Sequence, residues 1–188
     1  MTDVPLRCRC GQVRGVLHGA SKSVGNHLVC YCESCQRFPA HLGAEGVVDE
    51  FGGTDIYQVP IGAIEFTSGT DKIGCLHLTE GGPYRWYAGC CNAPIGNTWN
   101  PSLPFMGVIH TAMEVDDLDA VIGPVRFDSF REDARTNLPQ ERSRGWMPML
   151  WVRFLAQMLY WRLSGKAKPN PLFLESGAPI VEPELVTR

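Results

Sequence analysis

The sequence predicts a mainly β protein, and three observations carry that prediction. Its 188 residues include 20 Gly and 14 Pro, a turn-rich composition. Apolar and β-branched residues come in short runs broken by Gly, Pro, Asn and Asp. Only residues 144–163 sustain a helical period. The expected architecture is a β domain of short antiparallel strands over residues 1–128. One long helix and an extended Pro-rich tail follow over residues 129–188.

Taken in chain order, strands are expected at 13–17, 27–30, 56–59, 64–66, 75–78, 84–87, 95–97 and 106–110. Gly52-Gly53, Ser68-Gly69, Gly81-Gly82-Pro83 and Asn100-Pro101 punctuate them. The acidic stretch 114–119 reads as a loop or helical turn, and 121–128 as a last strand. Over residues 131–168, eight Lys/Arg stand against three Asp/Glu. Within the helix, Met147, Leu150, Trp151, Phe154, Leu155, Met158, Leu159 and Trp161 form a broad apolar face. Arg153, Gln157 and Arg162 form a narrow polar stripe opposite, so the apolar face is expected to pack on the β domain. A homodimer contact through 144–163 and attachment to a membrane surface are the alternatives. A membrane span is not expected, because Arg153 would sit near the bilayer centre at a cost of roughly 2.5–3.5 kcal/mol. Leu172 and Phe173 are the residues able to clamp the tail.

Composition narrows the function. A net charge of −3 excludes a strongly basic nucleic-acid binder on charge alone. The chain opens with no charged start and apolar run of a secretion signal, so a reducing, cytoplasmic setting is expected. In that setting the eight cysteines, at 8, 10, 30, 32, 35, 75, 90 and 91, read as metal ligands rather than disulfides. Zinc is the expected ion.

The hexapeptide Cys30-Tyr31-Cys32-Glu33-Ser34-Cys35 offers three thiolates. Cys30 and Cys32 share one side of an extended segment, and Cys35 joins them if the chain turns. Three local ligands leave a fourth position for water or substrate. The site is closed instead if a distant donor reaches it, with Cys75, His41 and His77 in hand. A second set pairs Cys8 and Cys10 with Cys90 and Cys91. Neighbours in a strand point apart, so Cys90 and Cys91 are not both expected on one ion unless the chain turns there. That site reads as three thiolates and an uncertain fourth, stapling the N-terminus to later strands. Cys75, alone in a β-like run, reads as a small buried hydrophobe. Arg37, two residues past Cys35, is placed to meet the carboxylate of an anionic thiol. Trp86 and Trp99 read as core.

Three separated motifs carry a resemblance over residues 5–112. They are Cys8-x-Cys10-Gly11-x-Val13-Arg14, Cys30-x-Cys32-x-x-Cys35, and a cysteine followed by Pro94-Ile95-Gly96. Together they resemble the glutathione-dependent formaldehyde-activating enzymes, a family that includes centromere protein V relatives. The resemblance implies a zinc-binding β-tent. Cys8 and Cys10 match half of a structural zinc site, and Cys30, Cys32 and Cys35 match a catalytic three-thiolate zinc. The family's later pair is spaced by two residues with Gly after the second. Here the second cysteine is Cys91, the first falls on Ala88, Asn92 stands for the Gly, and Cys90 is the substitute at hand. The implied activity is a carbon–sulfur lyase acting on a thiol–aldehyde adduct of the S-hydroxymethylglutathione type. The competing expectation is a non-catalytic zinc module whose C-terminal helix binds a partner, a second copy or a membrane surface.

Overall fold

Val4 and Leu6 are buried between exposed neighbours along β1 (Thr2–Arg7), and Gly15, Leu17 and Ala20 are buried along β2 (Arg14–Ala20), where Arg14 and His18 are exposed. One face of this hairpin is therefore apolar and must be covered. The computed structural model describes residues 1–142 and 144–186. In it, β5 (Ile64–Ser68) completes a three-stranded antiparallel sheet in the order β1-β2-β5. β1 was not expected from sequence, because Pro5 interrupts the run. The strand lies at a sheet edge, where a missing N–H costs no ladder bond.

The second sheet has eight strands. Its members are β3 (Asn26–Cys30), β4 (Thr54–Pro60), β6 (Ile73–His77), β7 (Tyr84–Ala88), β8 (Ala93–Thr98), β9 (Phe105–Ile109), β10 (Phe127–Ser129) and β11 (Glu184–Leu185). They run in the order β10-β3-β4-β9-β8-β7-β6-β11. Val4, Leu17 and Ile64 of the small sheet share one core with Tyr57, Val59, Trp86, Met106 and Val108 of the large one. The expected antiparallel pairing holds inside both sheets and fails at the two outer edges. There β10 pairs β3 and β11 pairs β6 in parallel. Both edge strands arrive after long connections, and only these can return a chain in the same direction.

Three α-helices complete the described residues. α1 (Glu33–His41) has nine residues, too short to show a helical period in the sequence, and it was not foreseen. α2 (Leu118–Ile122) starts where the Asp117 carboxylate accepts from the Ala120 N–H at 3.0 Å. α3 (Met147–Leu163) is the long C-terminal helix. After it, Leu172 and Phe173 are buried in the main core, with the Phe173 ring edge-on to Tyr84 and Trp86. Trp86 is core as expected, whereas Trp99 is 56% exposed.

The orientation of α3 departs from the expectation in part, because the polar stripe turns inward along with half of the apolar face. Arg153 and Gln157 face the β domain, not solvent. Arg153 Nε donates to Asn26 Oδ1 at 2.6 Å, and its Nη2 donates to the Ser23 and Gly25 carbonyls. Gln157 donates to the Val24 carbonyl at 3.2 Å and accepts from Asn26 Nδ2 at 2.6 Å. The segment Ser23–Asn26 presents carbonyls that need donors, and the two polar side chains supply them. Leu150, Met158 and Trp161 pack inward beside them, while Trp151, Leu155 and Leu159 remain exposed. At the start of this region the Asp128 carboxylate, fully buried, takes a two-pronged bond from Arg144 at 2.8 Å per prong.

Candidate metal centres

Two groups of cysteines converge, one at each of two chain turns. In the first, Cys8, Cys10, Cys90 and Cys91 place their sulfurs within 4.8 Å of one another. The Cys8 end is a knuckle. Gly11 N–H donates to the Cys8 carbonyl, Cys8 N–H to the Val13 carbonyl, and Val13 N–H to Cys8 Sγ at 3.3 Å. Gly11 takes φ +77°, a conformation costly for any residue with a Cβ. Opposite it, β7 and β8 are joined by Gly89-Cys90-Cys91-Asn92. Cys91 N–H closes a turn onto the Ala88 carbonyl, and Asn92 takes φ +54°. Asn is among the few non-glycine residues that tolerate this conformation.

Cys90 and Cys91 were expected on one ion only if the chain turned there, and it does turn. They lie in a loop, not a strand, so the alternation of side chains does not apply. Cys90 Sγ stands 3.3 Å from Cys10 Sγ and 3.8 Å from Cys8 Sγ, and Arg9 ties the loop down by donating to the Cys91 carbonyl at 2.6 Å. All eight cysteines are free thiols. Burial works against a Cys8 thiolate, but the Val13 N–H and the thiols of Cys10, Cys91 and Cys90 bring its pKa down to about 6.

The second group is Cys30, Cys32 and Cys35. Cys30 ends the fully buried β3, Cys32 caps the N-terminus of α1, and Cys35 lies in its first turn. Cys30 and Cys32 sulfurs are 3.4 Å apart. No fourth Cys, His, Asp or Glu joins them among the described residues. Of the distant donors weighed, Cys75 is buried in β6 with its thiol pushed up to about 12 by burial. His77 faces the Pro83 carbonyl, and His41 is exposed in the last turn of α1.

Two residues that the sequence reading passed over hold this second group. Arg85 of β7, 3% exposed, points Nη1 at Cys35 Sγ (3.7 Å) and donates from Nη2 to Ser34 Oγ at 2.6 Å. Its Nε has no partner among the described residues. Hydrogen bonds from Cys30 and Cys32, helped by Arg85, hold the Cys35 thiol well below its ordinary range against burial. Cys30 is driven well above it by Cys32 and Cys35. The guanidinium of Arg85 favours the thiolate form of Cys35 beside it. A cation inside the apolar alternation of Tyr84-Arg85-Trp86 was the signal available in the sequence. Thr54, opposite Cys30 in the β3–β4 register, donates its hydroxyl to the Cys35 carbonyl.

The inner face of α3 walls the same group. Leu150 and Met147 pack in one apolar cluster with Cys30, Cys32, Cys35, Leu28, Ile56 and Phe127. Arg37 sits one turn along α1, 3.6 Å from Glu33, on a groove of about 450 Å³ that Gln36, Asp133 and Arg135 also line.

Both groups fit a soft metal ion. A tetrahedral ion with sulfur at about 2.3 Å separates its ligands by about 3.8 Å, and a disulfide would hold them near 2.05 Å. The four sulfur pairs Cys8–Cys10, Cys8–Cys90, Cys10–Cys90 and Cys30–Cys32 stand 3.3–3.8 Å apart, too far for a disulfide and near the spacing of ligands on one ion.

No curated protein matches the chain. Among solved structures, a Rhodobacter sphaeroides protein is similar at 16% sequence identity and a TM-score of 0.44, covering 64% of this chain and 96% of that one. A family model matches over residues 1–184, almost the whole length, and the chain therefore belongs to the family of unknown function DUF6151.

Proposed function

We propose that this is a two-zinc protein of the β-tent type, related to the glutathione-dependent formaldehyde-activating enzymes. In this reading it acts as a carbon–sulfur lyase on a small thiol–aldehyde adduct in a reducing cytoplasm. The observation that carries the reading is the unequal donor count, four sulfurs in one group and three in the other. Four protein ligands make a closed, structural site, and three make a site with room for an exogenous ligand. Cys8, Cys10, Cys90 and Cys91 would hold the first ion and bind the N-terminal knuckle to the β7–β8 turn. Cys30, Cys32 and Cys35 would hold the second.

Bound there, zinc favours the thiolate over the thiol of an incoming sulfur ligand. The remaining work falls to the chain. Arg85 offsets the excess negative charge of three thiolates. Leu150, Met147 and Phe127 keep water from one side of the centre. Arg37 and Arg135, on the α1 groove, supply guanidiniums for the carboxylates of an anionic thiol such as glutathione.

The test is zinc per chain in the purified protein and in Cys32→Ser and Cys90→Ser. About two ions, falling to about one in each variant, are expected on this ligand count. Added glutathione should then perturb the spectrum of the cobalt-substituted protein and of Cys90→Ser, but not that of Cys32→Ser. Zinc content unmoved by Cys32→Ser, or a cobalt spectrum indifferent to glutathione, defeats the reading.

A further inference from the structure

We infer that the outer face of α3 is a docking surface for an anionic lipid bilayer, on which the helix lies in the plane of the membrane. Met149, Trp151, Val152, Leu155, Leu159 and Leu163 are each 52–79% exposed. At about 100° per residue these side chains span roughly half of the helix circumference. Arg162 is the only charged residue within that arc. The outer face keeps few polar side chains, because Arg153 and Gln157 are turned to the β domain beside Leu150, Met158 and Trp161. By their fractional exposures the six residues present on the order of 700 Å² of apolar surface, above the 300–600 Å² patch of an ordinary monomer.

Width and charge choose the occupant. A second helix covers only a narrow seam, whereas a bilayer surface wets a half-cylinder. From Arg142 to Leu174 the chain holds six Lys/Arg and no acidic residue. Arg142 is paired with Asp49, Arg144 with Asp128, and Arg153 is turned inward. Arg162, Lys166 and Lys168 have no carboxylate partner among the described residues; Arg162 lies in the last turn of α3, and the two lysines follow it in the chain. A second copy of this helix offers these cations no carboxylate. Phosphate headgroups supply the missing anion. Trp146 and Tyr160, 68% and 56% exposed, add the amphipathic rings suited to a wet–dry boundary. No helix among the described residues is long and apolar enough to cross a membrane, so the contact is with the surface. The inner face of the same helix walls the three-sulfur centre, which docking would set close to the bilayer.

The test is flotation of the purified full chain with phosphatidylcholine vesicles, with and without phosphatidylglycerol. Binding is expected only with phosphatidylglycerol, weakening as salt rises. Leu155→Glu with Leu159→Glu, both at exposed positions, should lower the bound fraction by roughly ten-fold or more. Leu174→Glu, equally exposed but off the helix, should leave it unchanged. Replacing Arg162, Lys166 and Lys168 by Gln keeps the apolar face and should remove the preference for phosphatidylglycerol. Absence of vesicle binding, or binding indifferent to the double Glu variant, overturns the inference. So does a dimer seen by light scattering that the double variant dissolves while vesicles bind neither protein, which assigns the face to a second copy.

Discussion

The hydroxyl of Thr54 donates to the carbonyl of Cys35 across 2.9 Å, and it does so because Pro39 cannot. In a helix the Cys35 carbonyl belongs to the N–H of residue 39, and proline has none. Thr54 is also the partner of Cys30 across the β3–β4 ladder. One side chain thus locks together the strand and the helix that carry the three-sulfur group.

Thr54→Val keeps the shape and removes the donor, leaving a buried carbonyl without a partner. A loss of about 1–2 kcal/mol is expected in urea unfolding. Metal release from Cys30, Cys32 and Cys35 should quicken while the four-sulfur site keeps its rate. Unchanged stability would show the bond to be incidental.

Arg85→Met removes the buried cation beside Cys35 and keeps the length of the side chain. Groups that support metal ligands from behind typically matter 10–100-fold in affinity, so about that loss is expected at the three-sulfur group alone. Competition with a graded series of chelators measures it. Equal weakening at both sites would mean that Arg85 serves the fold and not the centre.

Arg144→Ala strips the Asp128 carboxylate, fully buried, of its two-pronged partner. Leaving such a charge uncompensated costs about 3 kcal/mol or more. Because the pair fastens the chain just before α3, hydrogen exchange should rise in that helix before it rises in β4 or β9.

His27 faces acceptors on both sides, the Asp55 carboxylate 2.9 Å from Nε2 and the Gly123 carbonyl at Nδ1. Only the doubly protonated ring satisfies both. Burial opposes the charge, but Asp55, Gly123 and Asp119 outweigh it and raise the pKa above 6.5. The resulting stability is fully present below about pH 6.5 and is lost as pH rises through the folded-state value. Relative to His27→Gln, the wild-type advantage in unfolding midpoint should therefore be larger at about pH 6 than at about pH 9. An imidazole pKa at or below 6.5 by NMR would contradict this.

What the amino-acid sequence alone determined was local. Turn-rich composition and short apolar runs sufficed for a mainly β chain, and residues 144–163 showed a helix that forms over 147–163. Cys30, Cys32 and Cys35 were legible as one group because six residues of chain can hardly keep them apart. Tertiary structure decided everything that depends on strand register. It brought Cys90 and Cys91 together on the knuckle of Cys8 and Cys10, since a turn and not a strand carries the pair. It set Arg85 and Thr54 against Cys35 from strands far away in the chain. It also turned α3 about its axis, because part of the surface beneath offers the Ser23, Val24 and Gly25 carbonyls, which Arg153 and Gln157 satisfy. Periodicity shows that a helix has two faces. Which one turns inward depends on what the rest of the chain places beneath it.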